Sequence, residues 1–318
     1  MAKIQKAQRE IEFQVGNGNH YLDSGQALSI VNRKLFSQQK LYGIERIDFE
    51  YLPTYTGGVV DQDEVILQVM TAGETWSVHN AWVKSKALHS EMQDLVLADN
   101  PSIKGKWADY KVFLDYNHAI ATGAANMIPV DGIQGPFIIG EWNYSTFVMP
   151  QHEVDPATGL PLPADECFGH LIGDDIAVPN SKGLVKAYAQ SRATVQPIDP
   201  SVPAGMSTSF FNLLTDSGSQ EPELADVIED ENDEPPYDQN EYPGGATNAN
   251  YPLVAGRRIV NSNHPNAILD GFIAQCGLVL FTVSAKKDGE FVTAPTCNIR
   301  VTYAPGMYKG VAAIDMGQ

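Results

Sequence analysis

The chain has 318 residues, of which 43% are hydrophobic, and its net charge of -18 comes from 39 acidic and 21 basic residues. This length is enough to bury one large core or two medium ones, so two domains or one doubled domain is the expected organisation. The acidity argues against a protein that neutralises many phosphates, so we expect no direct sequence-specific binding of nucleic acid.

Residues 1–14 form a basic head. Lys3, Lys6 and Arg9 are three residues apart and would share one side of a short helix, which suits an anionic lipid surface. The competing interpretation is a solvated chain end. The head lacks an apolar stretch, and no run of eighteen apolar residues occurs, so we expect neither a signal peptide nor a membrane span, and folding in a cytoplasm.

Strand patterns dominate the first half, with two helices between them. Asp23 can cap a short helix, and the apolar residues of a longer helix from Val78 to Ala98 form one stripe. That stripe consists of Trp82, Leu88, Met92, Leu95 and Val96. The predicted strands are Ile47 to Tyr51, Val65 to Met70, Val112 to Leu114, and a strand with Trp142, Tyr144, Thr146 and Val148 on one face.

The second half repeats this plan after a Pro-rich stretch. Helices are predicted from Ser181 to Arg192 and from Thr208 to Thr215. Leu278 to Val283 is typical of a fully buried strand, whereas Cys297, Ile299, Val301 and Tyr303 alternate with polar residues. Turns are predicted at Thr56-Gly57-Gly58, Asp131-Gly132, Asp270-Gly271 and Lys287-Asp288-Gly289.

These patterns predict a mainly β protein built as two jelly-roll β-barrels in tandem, with short inserted helices. The first roll would span residues 15–155 and the second residues 166–318, joined by a Pro-rich linker at 156–165.

An acidic insertion at 216–245 would interrupt the second roll. No Lys or Arg occurs from Ala193 to Gly256, and eleven carboxylates lie between Asp216 and Glu241. Such a composition favours a solvated excursion from the folded body, and we expect it to tolerate deletion.

The sequence carries no common catalytic motif, and we expect no enzyme. It lacks the glycine-rich phosphate loop, the dinucleotide fingerprint, the serine-hydrolase elbow and the zinc-protease helix. Its seven histidines are scattered, and Cys167, Cys276 and Cys297 are widely spaced, which indicates buried free thiols.

Two binding functions stay open. The carboxylates Asp230, Asp233 and Glu234 are candidate calcium ligands of an adhesion or scaffold protein, although solvated loops are the stronger interpretation for them, for Asp174-Asp175 and for residues 61–64. A carbohydrate-binding or carbohydrate-cleaving β-sandwich would use exposed tryptophans beside paired carboxylates. The candidates are Trp76, Trp82, Trp107 and Trp142, of which Trp82 and Trp142 lie on apolar faces typical of core packing.

One stretch resembles a known family. Residues 25–36 (GQALSIVNRKLF), residues 38–44 (QQKLYGI) and the following strand to Leu52 are similar to the opening of major capsid proteins of small lipid-containing single-stranded DNA bacteriophages, of the flavobacterial phage type. The matched part covers about a tenth of the chain.

This resemblance implies a structural virion protein with the double jelly-roll fold. Such a subunit trimerises into pseudo-hexameric capsomers, which contact neighbouring capsomers and penton or minor capsid proteins in an icosahedral shell around an internal membrane. It also implies a place in the virion, with Lys3, Lys6 and Arg9 touching lipid headgroups at the inner surface. Single-jelly-roll capsid proteins of DNA viruses usually carry an arginine-rich amino terminus. Its absence here argues against direct genome packaging.

Overall fold

A computed structural model describes residues 7–103, 109–122, 124–132, 135–149, 157–160, 165–178, 180–192 and 252–317. The fold is mainly β, as predicted. The first strands and helices are β1 (Glu10–Val15), β2 (Gly18–Asp23), α1 (Ser24–Asn32), β3 (Lys40–Tyr51), β4 (Tyr55–Thr56), β5 (Val59–Val60), β6 (Glu64–Thr71) and α2 (Trp76–Asp99), followed by a 3-10 turn at Pro101–Ile103.

The middle of the chain mixes short strands and helices. These are β7 (Phe113–Asp115), α3 (Tyr116–Ile120), β8 (Val130–Asp131), β9 (Gly135–Pro136), β10 (Thr146–Met149), β11 (Asp165–Ile172), β12 (Ser181–Gly183) and α4 (Leu184–Arg192). The last part is again β: β13 (Leu253–Val260), β14 (Asn266–Ala274), a 3-10 turn at Gln275–Gly277, β15 (Leu278–Lys287), β16 (Glu290–Val292), β17 (Cys297–Tyr303), β18 (Pro305–Gly306), β19 (Gly310–Val311) and β20 (Ala313–Asp315).

Two antiparallel sheets form a sandwich. Sheet I has the strand order β1-β17-β3-β14, with β20 also paired to β3. Sheet II has the order β13-β6-β15-β16, with β2 also paired to β15. Strands from both ends of the chain therefore alternate within each sheet.

The pairing of the eight long strands of the sandwich is nested. The first pairs with the last (β1 with β17), the second with the seventh (β2 with β15), the third with the sixth (β3 with β14) and the fourth with the fifth (β6 with β13). Contacts between β17 and β3 and between β15 and β6 complete the two sheets. The result is a long antiparallel ribbon that is rolled up on itself.

The alternating sequence patterns explain why these strands pack face to face. In β17, Cys297, Ile299 and Val301 are at most 1% exposed, whereas Arg300 points to solvent, as predicted. The same side of β3 buries Ile47, Phe49 and Tyr51. Fully burying one such side chain contributes about 1.5–3 kcal/mol. The main core contains these residues together with Phe13, Val65, Leu67, Val69, Val279, Phe281 and Val283.

Residues 72–252, here called the insertion, connect β6 to β13 and make up more than half of the chain. Their described strands form sheet III, with the order β10-β11-β12 and β7 also paired to β11. The pairs of β11 with β12 and with β7 are parallel.

The insertion packs against the outer face of sheet II. A second core joins residues of β2 and β15 to the insertion: Tyr21, Leu278 and Leu280 contact a cluster that includes Trp82, Leu114, Leu171 and Leu184. Both faces of β15 are therefore covered, which explains its continuous apolar run and confirms the predicted buried strand.

The strand pairing corrects the predicted domain boundaries. Strands from residues 15–155 and from residues 166–318 hydrogen-bond within the same two sheets, so the sandwich is not divided at the Pro-rich linker. Residues 157–160 of that linker form a turn and open loop, and Asp165 already begins β11. Residues 1–6 of the basic head lie outside the described residues. The predicted acidic insertion at 216–245, which falls within the larger insertion of residues 72–252, also lies outside them.

Local predictions met mixed outcomes. Asp23 caps α1 by accepting a hydrogen bond from the Gln26 amide at 3.1 Å, as predicted. Residues 181–183 form β12, so the predicted helix from Ser181 begins only at Leu184. Asp270-Gly271 is not a turn, because it lies inside β14. The helix predicted from Thr208 to Thr215 falls outside the described residues.

The strand predicted around Trp142 to Val148 is shorter than expected. The strand itself begins at Thr146. Phe147 is buried and Val148 is 47% exposed. Because alternate residues of a strand face opposite sides, Phe147 is buried on the side opposite to Thr146 and Val148. Phe147 packs into the second core, between the insertion and sheet II.

Candidate functional site

A buried polar network lies where the insertion meets the sandwich. Its first centre is the Asp23 carboxylate, which is 1% exposed. Besides the Gln26 amide, it accepts hydrogen bonds from Gln38 Nε2 and Trp142 Nε1, both at 2.8 Å. Burial raises the pKa of Asp23, and these donors oppose the rise. The carboxylate thus ties α1 to the loop before β3 and to the insertion.

Its second centre is Asp115 at the end of β7. The carboxylate caps α3 by accepting from the His118 amide at 2.8 Å, and it accepts from the Tyr21 hydroxyl at 2.9 Å. Burial and the neighbouring Asp115 carboxylate raise the pKa of Tyr21, so the phenol stays protonated and donates. Tyr21 also stacks on the His118 ring, with 4.2 Å between ring centroids.

His118 is held neutral inside this network. The Leu114 amide donates to Nδ1 at 3.1 Å, so the ring proton is on Nε2, which donates to Asn126 Oδ1 at 2.7 Å. Burial lowers the pKa of His118 to about 3. Asn126 in turn donates to Gln26 Oε1 at 2.8 Å and to the Tyr144 hydroxyl at 2.9 Å. Each group is therefore engaged by another group of the same network.

The hydrogen bonds of this network are better suited to holding the insertion against the sandwich than to catalysis. A general base needs a free lone pair directed at a substrate, and both nitrogens of His118 are occupied. Among the described residues, the pair that most resembles a nucleophile and its base is Ser181 and His170, with Ser181 Oγ 2.8 Å from His170 Nδ1. Ser181 is fully buried, and His170 Nε2 lies 3.0 Å from the Asp174 carbonyl oxygen. Burial lowers the pKa of His170 to about 4, so this ring is also neutral.

Of the three cations in the predicted basic head, the structure describes only Arg9. Its Nη1 donates to the Tyr303 carbonyl at 2.9 Å and lies 3.6 Å from a Glu45 carboxylate oxygen. Arg9 is thus attached to sheet I and does not extend freely from the body. Lys3 and Lys6 lie outside the described residues, as do the candidate calcium ligands Asp230, Asp233 and Glu234.

The acidic loops at 61–64 and 174–175 are both described, and their carboxylates pair with basic side chains or with a backbone amide. Asp63 pairs with Lys287 at 3.1 Å, and Asp174 pairs with Lys186 at 2.8 Å. Asp175 accepts from the Gly183 amide at 3.0 Å. Across the part of the chain that the structure describes, no group of three or more His, Cys, Asp or Glu side chains is placed to hold a metal ion.

The cysteines and tryptophans follow the predicted core packing in part. All three cysteines are buried free thiols, as expected. Trp82 is buried in the second core, and Trp142 is half-buried in the polar network. Trp76 is 37% exposed and packs edge-on against Tyr188. Trp107 lies outside the described residues.

Apolar side chains are exposed along one edge of the sandwich. This edge surface consists of Val254 and Ile259 on β13 and Ile268 and Ile273 on β14, which are 42–57% exposed. The two strands touch, since Arg258 Nε donates to the Ile268 carbonyl at 2.7 Å. Edge strands with exposed apolar side chains are surfaces on which other chains pair or pack.

The predicted apolar stripe of α2 divides into two parts. Trp82, near the start, is buried, whereas Leu88, Leu95 and Val96 are 48%, 74% and 52% exposed. The second half of the helix therefore extends beyond the body that the first half covers. Within the described residues, no helix combines the length and apolar character needed to cross a bilayer.

Comparison with known proteins adds no relative. No protein-family model, curated protein or solved structure matches the chain. The candidate site is therefore defined by geometry alone. Sequence reasoning identified Asp23 but missed Asp115, His118 and Asn126. One signal was present: an Asp directly after the buried run Val112 to Leu114 is typical of a helix cap.

Proposed function

We propose that this chain is a structural virion protein that assembles into a capsid shell. The observation that supports this most is the nested pairing of eight antiparallel strands in two sheets, the arrangement of a jelly roll. Jelly rolls occur in viral capsid proteins, lectins and cupins. The choice among these three classes therefore depends on whether the interior of the roll is filled and on which side chains its outer surfaces expose.

The interior and the edges of the sandwich favour a shell subunit over a lectin or a cupin. The space between the sheets is filled by side chains such as Phe13, Phe49 and Phe281, which leaves the outer surfaces for binding. The edge surface on β13 and β14 presents apolar side chains that a neighbouring subunit would cover. Binding spread over large interfaces is what shell assembly requires.

The trimeric, pseudo-hexameric capsomer remains part of the proposal, with one structural requirement. A trimer resembles a hexamer only if each chain contributes two similar lobes. The rolled sandwich would be one lobe, and the insertion would have to supply the other. The parallel pairs of sheet III speak against a second antiparallel roll in the described part of the insertion. We therefore favour one jelly roll with a large insertion over two in tandem.

The assembly state tests the proposal. We expect purified protein to form homotrimers or larger closed particles, measured by light scattering after size-exclusion chromatography and by negative-stain electron microscopy. An internal membrane would be shown by lipid that co-purifies with such particles. A protein that stays monomeric at every concentration and salt, and forms no particle together with its partner virion proteins, would contradict the proposal.

A further inference from the structure

A pocket of about 370 Å³ lies between the end of α1 and the insertion. Three cations line it, Arg33, Lys34 and Lys111, against a single carboxylate, Glu141. Its apolar wall includes Ile30 and Ile138. Such a concentration of positive charge is unexpected in a chain with a net charge of -18.

Lys111 is the most informative of these cations. It is only 6% exposed, and its Nζ lies 4.8 Å from the centre of the Trp142 ring. Lys111 forms no salt bridge with any described carboxylate. Its positive charge lowers the pKa of Asp23, although no salt bridge joins the two side chains. The Trp142 ring holds the Lys111 ammonium group at the wall of the pocket through a cation-π contact. An anion bound in the pocket would supply the charged partner that Lys111 lacks among the described carboxylates.

Arg33 and Lys34 add to this charge. Neither forms a salt bridge with a described residue, whereas cations elsewhere do, for example Arg300 with Glu12 at 2.6 Å. Of the opposing carboxylate Glu141, Oε1 is occupied by a hydrogen bond from Asn143 Nδ2 at 2.7 Å. The pocket therefore keeps an excess of positive charge.

Attraction to the end of α1 explains only some of the cations in this region. Cations often gather at the end of a helix because its last carbonyl groups are partly negative. Lys309 fits this explanation, since its Nζ donates to the Leu35 carbonyl just beyond α1. Arg33 and Lys34 form no side-chain hydrogen bond with the last carbonyls of α1; the Leu28 carbonyl instead accepts from Asn32.

We infer that this pocket binds a phosphate ester, with the phosphate at Arg33, Lys34 and Lys111 and the attached organic group against Ile30 and Ile138. Arginine and lysine bind phosphate through strong charge-assisted hydrogen bonds. The volume falls within the range of about 300–1,000 Å³ found for small-molecule sites. This inference is independent of the proposed shell function.

Isothermal titration calorimetry at low salt tests it with three probes: inorganic phosphate, thymidine monophosphate, and a short-chain phosphatidylglycerol below its micelle concentration. We expect at least one ester to bind more tightly than inorganic phosphate. Preference for the nucleotide would identify a nucleotide source, and preference for the lipid would identify a headgroup. No heat with either ester at millimolar concentration, or equal affinity for inorganic phosphate and both esters, would overturn the inference.

Four variants locate the site. Lys34→Gln and Lys111→Met should each weaken ester binding about tenfold or more, and Glu141→Gln should strengthen it. Arg257→Gln removes one exposed positive charge from β13, away from the pocket, and should leave binding unchanged. If Lys34→Gln and Arg257→Gln reduce binding equally, the binding is non-specific attraction and the pocket is not the site. Lys34 is at the surface, so this comparison holds even if Lys111→Met does not fold.

Discussion

At the scale of single residues, glycine positions show how tightly the sandwich and α1 meet. Gly277 adopts a φ of +66°, which L side chains rarely adopt. A Cβ at this position would come within 2.8 Å of both Ser24 and the Tyr42 ring. Conformation and space therefore both require glycine here.

We expect Gly277→Ala to lower the free energy of unfolding by about 3 kcal/mol, because it adds a steric clash to the backbone strain. Gly289→Ala is the matched control. Gly289 has a φ of +85° in the β15–β16 turn, but a Cβ added there would meet no atom within 4 Å, so strain alone should cost about 1 kcal/mol. Urea denaturation measures both values. Equal losses for the two variants would show that the contact with α1 is not tight.

His118 predicts a pH dependence of stability. Its folded-state pKa of about 3 lies below the ordinary value of 6.5, so the unfolded chain takes up a proton in this range and the folded chain does not. The contribution of the neutral His118 ring to the free energy of unfolding is complete above pH 6.5 and is lost as the pH falls towards 3. The slope reaches about 1.4 kcal/mol per pH unit for one proton.

Comparison of variants isolates this histidine. Burial raises the pKa of Asp23 and Asp115, so their contributions run the other way and are lost as the pH rises. We therefore expect the plot of unfolding free energy against pH to be flatter for His118→Gln than for the wild type between pH 4 and 6.5. Asn263→Gln, an exposed substitution that removes no titratable group, should leave the slope unchanged. An unchanged slope in His118→Gln would mean that this ring is protonated in the folded protein.

At the scale of elements, β15 and β13 show two opposite environments in one sheet. β15 is covered by the main core on one face and by the insertion on the other. β13 forms the edge of the same sheet, and most of its side chains are exposed. A central strand contributes to stability through burial, whereas an exposed edge strand is available for contacts with another chain.

The edge surface should therefore control assembly and not folding. We expect Ile259→Lys and Ile268→Lys to shift the protein from oligomer to monomer, because each places a charge in an apolar contact. Their melting temperatures as monomers should change little. Met307→Lys changes an apolar residue that is fully exposed and lies outside the edge surface, and it serves as the control. Sedimentation velocity measures the outcome, and unaltered oligomers in both edge variants would exclude this surface as the interface.

At the scale of the whole molecule, the nested pairing makes the sandwich depend on both ends of the chain. The partners of β1, β2, β3 and β6 all follow residue 252. More than half of the chain is inserted between β6 and β13. Long-range pairing of this kind requires closure of a large loop before the sheets are complete.

Fragments test this dependence. We expect residues 1–155 and residues 156–318, expressed separately, to lack a cooperative thermal transition, because each fragment carries strands without their partners. Mixing the two should restore one. Near-ultraviolet circular dichroism measures the transition. Two tandem jelly rolls would instead give two fragments that fold independently, and that result would contradict the single sandwich.

Deletion of Gln220 to Tyr242 should leave the sandwich folded. The deleted residues lie between α4 and β13, and a shorter connection changes loop-closure entropy only slightly. We expect the melting temperature to stay the same or to rise at low salt, because many carboxylates are removed from an acidic chain. Scanning calorimetry measures it. Loss of the folding transition would show that the acidic segment is an integral part of the core.

The sequence alone determined the local features of this protein. Alternation in β3 and β17, the Asp23 cap of α1 and the buried thiols were all predicted, because strand and helix periods and cap chemistry act over a few residues. The start of β12 and the buried face of β10 were not predicted, because contacts distant in sequence decide them. Of the candidate site, only Asp23 was predicted.

Only the tertiary structure decided which strands pair. Two rounds of strands and helices along the chain suggested two tandem rolls, yet the first and last strands are partners in one sandwich. Alternation specifies which face of a strand is buried but not which strand lies beside it. The same holds for the polar network, where Tyr21 and Asp115, and Asp23 and Trp142, meet only because the insertion folds back onto sheet II.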